Sequence, residues 1–109
     1  VDVTTLVRQI GAGNLMAISG LRYTAIYDKE RGADVIGLNL PVAYGYRVEI
    51  ELEPGDTYKV RRVFSRTVKG VKQNYVKGER TSVYAEEVGK VARYAASYES
   101  YDEDEWVTK

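Results

Sequence analysis

The clearest alternation of apolar and polar positions runs over residues 46–53. Tyr46, Val48, Ile50 and Leu52 fall on one side of an extended chain, and Arg47, Glu49, Glu51 and Glu53 fall on the other. A period of two predicts a strand with one buried face and one wet face. Glu53-Pro54-Gly55-Asp56 then reads as a tight turn, because proline presets the second position and glycine supplies the positive φ of a type II turn at the third. The next strand, 57–66, is predicted to pair antiparallel with the first, which sets Glu49 and Glu51 across from bases such as Lys59 and Arg61. The Arg61-Arg62 doublet interrupts its alternation, since Val60 and Val63 fall on opposite faces. A bulge there would return Val63 to the side of Val60.

The rest of the chain divides in the same way. Val3, Leu6, Val7 and Ile10 make one helical stripe behind a capping Asp2, and Gly11 closes it. Leu15 to Ser19 is a short apolar run closed by Gly20 and is read as a strand. Residues 22–28 and 35–40 form two strands around a polar turn, the second ended by Pro41, which lacks a ladder donor. A strand over 71–77 follows a loop at Lys69-Gly70. A final helix spans 83–98, capped by Ser82, with Glu86 and Glu87 early, where the helix dipole favours acids. Its stripe is Tyr84, Val88, Val91, Ala95 and Tyr98. Gly89, which costs about 1 kcal/mol relative to alanine in mid-helix, would allow a close approach to a strand. The expected fold is α+β: a single antiparallel sheet of about five to six strands packed with an N-terminal and a C-terminal helix. It occupies residues 1–98 as one domain, and 99–109 form an acidic C-terminal tail.

Charge changes this picture. The 109 residues carry no net charge, yet 57–80 hold eight bases (Lys59, Arg61, Arg62, Arg66, Lys69, Lys72, Lys77, Arg80) against Glu79 alone, and 99–105 hold five acids and no base. Such segregation can steer a charged partner to one face or let the tail fold over the chain's own bases. There is no cysteine and no histidine. That excludes disulfides, zinc-thiolate sites and thiol nucleophiles, and removes the usual proton shuttle near neutral pH. No apolar stretch approaches the roughly 20 residues that span a bilayer, and no basic-then-apolar secretory leader is seen. The expectation is therefore a cytoplasmic protein with no membrane partner. Ten of the twelve aromatic residues are tyrosine, a side chain suited to half-buried sheets and to contact surfaces.

Three stretches, QIGAGNLMAISG at 9–20, EPGDTYKVRRVF at 53–64 and VYAEEVGKVARYAASY at 83–98, together resemble a group of small uncharacterised proteins of actinobacterial bacteriophages and prophages. The resemblance covers most of the chain and implies a phage or prophage origin and action inside a bacterium. It carries no activity and no site residue.

No constellation of residues points to catalysis, a cofactor or a metal. Gly11-Ala12-Gly13-Asn14 follows a helix and lacks the third glycine of a dinucleotide fingerprint. Glu49, Glu51 and Glu53 share a wet face, whereas acid–base work needs a carboxylate raised by burial. The tail acids lack the spacing of a calcium loop, and the serines have no histidine partner. Two binding readings stand. The first is a non-catalytic phage accessory protein that binds a host or phage protein through Tyr98, Tyr101, Asp102, Glu103, Asp104, Glu105 and Trp106. The second is a nucleic-acid-binding module that uses Lys59, Arg61, Arg62, Arg66, Lys69 and Lys72 on the basic hairpin, where aromatics beside cations can stack bases and hold phosphates. An exposed sheet edge would also allow a homodimer.

Overall fold

The alternation at 46–53 organises the molecule. In the computed structural model, which describes residues 2–30, 32 and 34–97, it becomes the central strand of one antiparallel sheet. The described elements are α1 (Val3–Ile10), α2 (Ala12–Ser19), β1 (Thr24–Tyr27), β2 (Val35–Pro41), β3 (Tyr46–Leu52), β4 (Tyr58–Val68), β5 (Val71–Val83) and α3 (Val88–Ala96). The strands lie in sequence order, β1-β2-β3-β4-β5, each antiparallel to its neighbour. The helices cover one face. Leu6, Ile10, Leu15, Ile18, Val88, Ala92 and Ala95 bury themselves against Leu38, Leu40, Val48, Ile50, Val60 and Val83. Among the described residues no helix is long and apolar enough to cross a membrane.

Two elements differ from expectation. Leu15 to Ser19 belongs to a helix, not a strand. Gly11 closes α1 and at once opens α2, its carbonyl accepting from the Leu15 amide at 2.9 Å. Leu15, Ile18 and Ser19 then recur at helical spacing on the buried side. A run of five apolar residues does not distinguish the two states by periodicity. The last helix starts later than the pattern implies. Val83 pairs with Tyr58 as the end of β5, so Ser82 lies in the strand with φ 56° and does not cap the helix. A turn closed by the Glu87 amide on the Tyr84 carbonyl precedes α3. The close approach at Gly89 is made to the α1–α2 corner and not to a strand. A Cβ there would stand 2.2 Å from the Ile10 carbonyl oxygen and 2.6 Å from Asn14 Nδ2.

The Arg61-Arg62 doublet is resolved without a bulge in β4. Its pairing with β3 runs unbroken from Leu52↔Tyr58 to Tyr46↔Phe64. Arg62 therefore keeps the inner-face position beside Val60, and Val63 stays on the outer face. The irregularities fall on β5 instead, where the register steps from Arg62↔Gly78 to Val63↔Val76 and leaves Lys77 as the extra residue. Arg62 is only 1% exposed. Its Nε donates to the Ala95 carbonyl at 2.5 Å and its Nη2 to the Tyr94 carbonyl at 3.0 Å. The last carbonyls of a helix lack intrahelical donors and carry partial negative charge. Arg62 supplies both hydrogen bonds and charge to the end of α3, which explains its place in the core.

Candidate nucleic-acid interface

The β4–β5 hairpin has two halves of different character. In the root half, next to the Tyr58 end of β4, Lys59 and Arg61 lie opposite acids and Arg62 is folded inward. Glu49 lies opposite Arg61 and Glu51 opposite Lys59, the register that the charge pattern implied. On its other side Arg61 lies opposite Glu79. The Arg61 Nε donates to Glu79 at 2.7 Å, and its Nη1 stands 3.8 Å from both Glu49 and Glu51. Arg47 closes the network on Glu49 at 2.9 Å. Burial by itself would lower the pKa of Arg61, but the Glu79 hydrogen bond and the charges of Glu51, Glu79 and Glu49 together raise it above the ordinary arginine value. The group is a fixed cation inside a carboxylate cage, so its charge is spent within the sheet.

The distal half has no such cage. Pairing with β3 stops at Tyr46↔Phe64, while β4 and β5 continue alone as a two-stranded ribbon: Ser65↔Asn74, Arg66↔Gln73, Thr67↔Lys72 and Val68↔Val71. Lys69 and Gly70, both at positive φ, reverse it in a two-residue turn. From residue 65 to 78 the sequence contains no acid. Arg66, Lys69, Lys72 and Lys77 are all exposed, and none forms an ion pair with a described residue. Aromatic rings run across the junction of the two halves. Phe64 lies 5.0 Å from Tyr46 and 6.4 Å from Tyr75 between ring centroids. The Tyr75 ring is flanked by Arg66 at 5.6 Å and Lys77 at 5.7 Å, within the reach of cation–π attraction.

The structure thus divides the predicted nucleic-acid set. Arg66, Lys69 and Lys72 share the ribbon. Lys59 and Arg61 face carboxylates at its root. Arg62 is withdrawn into the core by the end of α3, which corrects its assignment to an open basic surface. Lys77, the extra residue of β5 beside Arg62 and Val63, lies just before the ribbon begins, but it is exposed, flanks the same Tyr75 ring as Arg66, and falls in the acid-free stretch 65–78 that signals it. The contacts expected on the tail, Tyr98, Tyr101, Asp102, Glu103, Asp104, Glu105 and Trp106, lie outside the described residues. Among the described residues no group of histidines, cysteines or acids is arranged to hold a metal ion. Comparison with protein-family models, curated proteins and solved structures finds no match to this chain.

Proposed function

We propose that this protein is a nucleic-acid-binding module whose contact element is the β4–β5 ribbon. The observation that carries the reading is the acid-free stretch 65–78, the ribbon and its approach, with four exposed cations that no described acid neutralises. A net charge of zero does not oppose it. The Debye length at physiological salt is about 8 Å, so a phosphate backbone on the ribbon responds to nearby charges more than to the total. A two-stranded ribbon is also of a size that enters the major groove of a duplex or lies along a single strand. The setting we propose is a bacterial cell carrying a phage or prophage, on the resemblance of residues 9–20, 53–64 and 83–98 alone.

The test is fluorescence anisotropy with labelled oligonucleotides across a salt series. Four neutralised phosphates give a slope of log K against log salt of roughly −3.6, or a loss on the order of a hundredfold between 50 and 200 mM. Replacing Arg66, Lys69, Lys72 and Lys77 together by glutamine should abolish most of the binding and flatten the slope. An affinity unchanged by these four replacements, or no binding by the parent protein at 50 mM salt, removes the proposal.

A further inference from the structure

We infer that the ligand is single-stranded nucleic acid, with one nucleotide seated in a notch at the base of the ribbon. This rests on the reading of the ribbon as the phosphate contact. The notch has a volume of about 380 Å³ and is lined by Arg22, Tyr44, Tyr46, Arg47, Ser65 and Lys72 together with loop backbone. It is a shallow, open depression and not an enclosed pocket. Among the described residues its lining contains three cations and no acid. A cavity on the neighbouring part of the outer face, of about 510 Å³, offers a contrast: Glu49 and Glu51 line it beside Lys29, Arg47, Arg61 and Lys72. The acid-free notch adjoins the ribbon.

The walls of the notch are held in place. Tyr44 is 84% exposed and has φ 52°, a left-handed conformation unusual for a tyrosine. The loop that presents it is closed by Val42 on the Tyr46 carbonyl at 3.0 Å and by Tyr46 on the Ala43 carbonyl at 2.9 Å. Gly45, at φ 86°, lets this loop meet β4. Its carbonyl accepts from the Ser65 amide at 2.8 Å, and a Cβ would lie 2.5 Å from the Ser65 carbonyl oxygen. Tyr44 is thus presented, largely exposed, on a hydrogen-bonded loop beside the ribbon. Arg22 is anchored by its Nε on the Ser19 carbonyl at 3.0 Å, which leaves its two Nη groups for a phosphate. Arg47 is held between Glu49 and Ser65. Lys72 lines the notch and also belongs to the ribbon, so one phosphodiester chain can pass from the ribbon into the notch without leaving positive potential.

An exposed aromatic face recognises a nucleobase by stacking, and it does so with little regard to sequence. In a duplex that face is covered by neighbouring base pairs, so the Tyr44 ring has nothing to stack on. A single strand offers both the phosphate for the ribbon and the open base for the ring. The predicted preference is single strand over duplex, with little discrimination between deoxythymidine and uridine runs.

The experiment compares the full chain and its Tyr44→Ala, Tyr44→Phe and ribbon-glutamine variants on labelled dT12, rU12 and a 12-base-pair duplex, with circular dichroism to verify folding. Tyr44→Ala should weaken dT12 and rU12 about tenfold, since stacking is lost, and leave the duplex affinity unchanged. Tyr44→Phe, which keeps the ring, should bind as the parent does. On adding dT12, the Tyr44 ring protons should shift upfield in nuclear magnetic resonance spectra. If the ribbon variant loses binding while Tyr44→Ala binds dT12 normally and the ring does not shift, the notch is wrong and the ribbon reading stands. If Tyr44→Ala weakens dT12 while the ribbon variant binds normally, the ribbon reading is wrong. Equal loss of single-strand and duplex binding in Tyr44→Ala also overturns the notch.

Discussion

The two halves of the β4–β5 hairpin carry similar amounts of positive charge and use it differently. At the root, β3 lies alongside β4, and its wet face brings Glu49 and Glu51 against Lys59 and Arg61, with Glu79 of β5 completing the cage. Beyond Tyr46↔Phe64 there is no third strand, and neither ribbon strand contributes an acid between residues 65 and 78. The end of β3 sets Arg66, Lys69 and Lys72 beyond its acids, and the irregularity in β5 keeps Lys77 exposed beside Val63. The lesson is that a run of bases in a sequence is an interface only over the part whose sheet neighbours do not answer it.

This contrast predicts that distal replacements act mainly on binding, whereas replacing the buried root cation Arg62 acts on the fold alone. The largest effect is expected from the four ribbon glutamines, a loss of affinity on the order of a hundredfold at low salt. Their combined effect on stability should stay within about 2 kcal/mol, mainly from the two cation–π contacts on Tyr75 at about 0.5–1 kcal/mol each, and a urea midpoint measures it. A large drop in that midpoint would mean that the ribbon is part of the structural frame and would blur the distinction.

The next largest effect lies in the root. Arg62→Ala should cost about 3 kcal/mol, because it removes a buried side chain, strips the Ala95 carbonyl of its Arg62 donor and leaves the Tyr94 carbonyl with the Ser97 amide alone of the two. Arg62→Met restores the packing without the hydrogen bonds and should cost about half as much. Urea denaturation gives both values, and oligonucleotide affinity per folded molecule should not change in either. A normal midpoint for Arg62→Ala would show that α3 does not depend on this cap.

How far the sequence shows this division depends on the range of the interactions involved. The strand 46–52 and its partner are legible because alternation and a Pro-Gly turn are local signals. The cross-strand pairs Glu49↔Arg61 and Glu51↔Lys59 follow from them by counting outward from the turn. Asp2 is legible as a cap, and its carboxylate accepts from the Thr4 amide at 3.0 Å and the Thr5 hydroxyl at 2.9 Å. Those bonds, the Thr5 hydroxyl foremost, hold its pKa below the ordinary aspartate value. Arg62 is not legible, because the carbonyls that draw it inward lie more than thirty residues along the chain, at the end of a helix. Helix α2 is not legible either, since its start depends on the way Gly11 turns the corner. Of the site, Arg66, Lys69 and Lys72 can be read from charge alone. The notch cannot, because Arg22, Tyr44 and Lys72 come from three separate connections and strands.

A smaller and opposite effect is expected when the root cage is neutralised. Replacing Glu49, Glu51 and Glu79 by glutamine keeps the shape of the side chains but leaves Arg47, Arg61 and Lys59 without their anions. Partly exposed pairs contribute about 0.2–1 kcal/mol each, so stability should fall by roughly 1 kcal/mol. Oligonucleotide binding should tighten by about fivefold and its salt slope should steepen, because further cations now release counterions. Unchanged affinity would mean that the root is sterically closed to the ligand as well as neutralised, and the contrast would then be one of access and not of charge.

The smallest effect concerns the tail. Removing residues 99–109 takes away five acids and one base from a chain whose total charge is zero. The remaining protein is positive overall, and the ribbon lies at the centre of that excess. If the tail acts only through its net charge, deletion should raise affinity for dT12 by about threefold at 50 mM salt. The gain should vanish near 0.15 M, where charges more than about 8 Å apart are screened from one another. A gain that persists at high salt would instead mark a direct contact between the tail and the ribbon, because short-range pairs are screened much less. A loss of affinity on deletion would show that Tyr98 to Trp106 assists binding, and it would set the tail with the distal half of the hairpin, not against it.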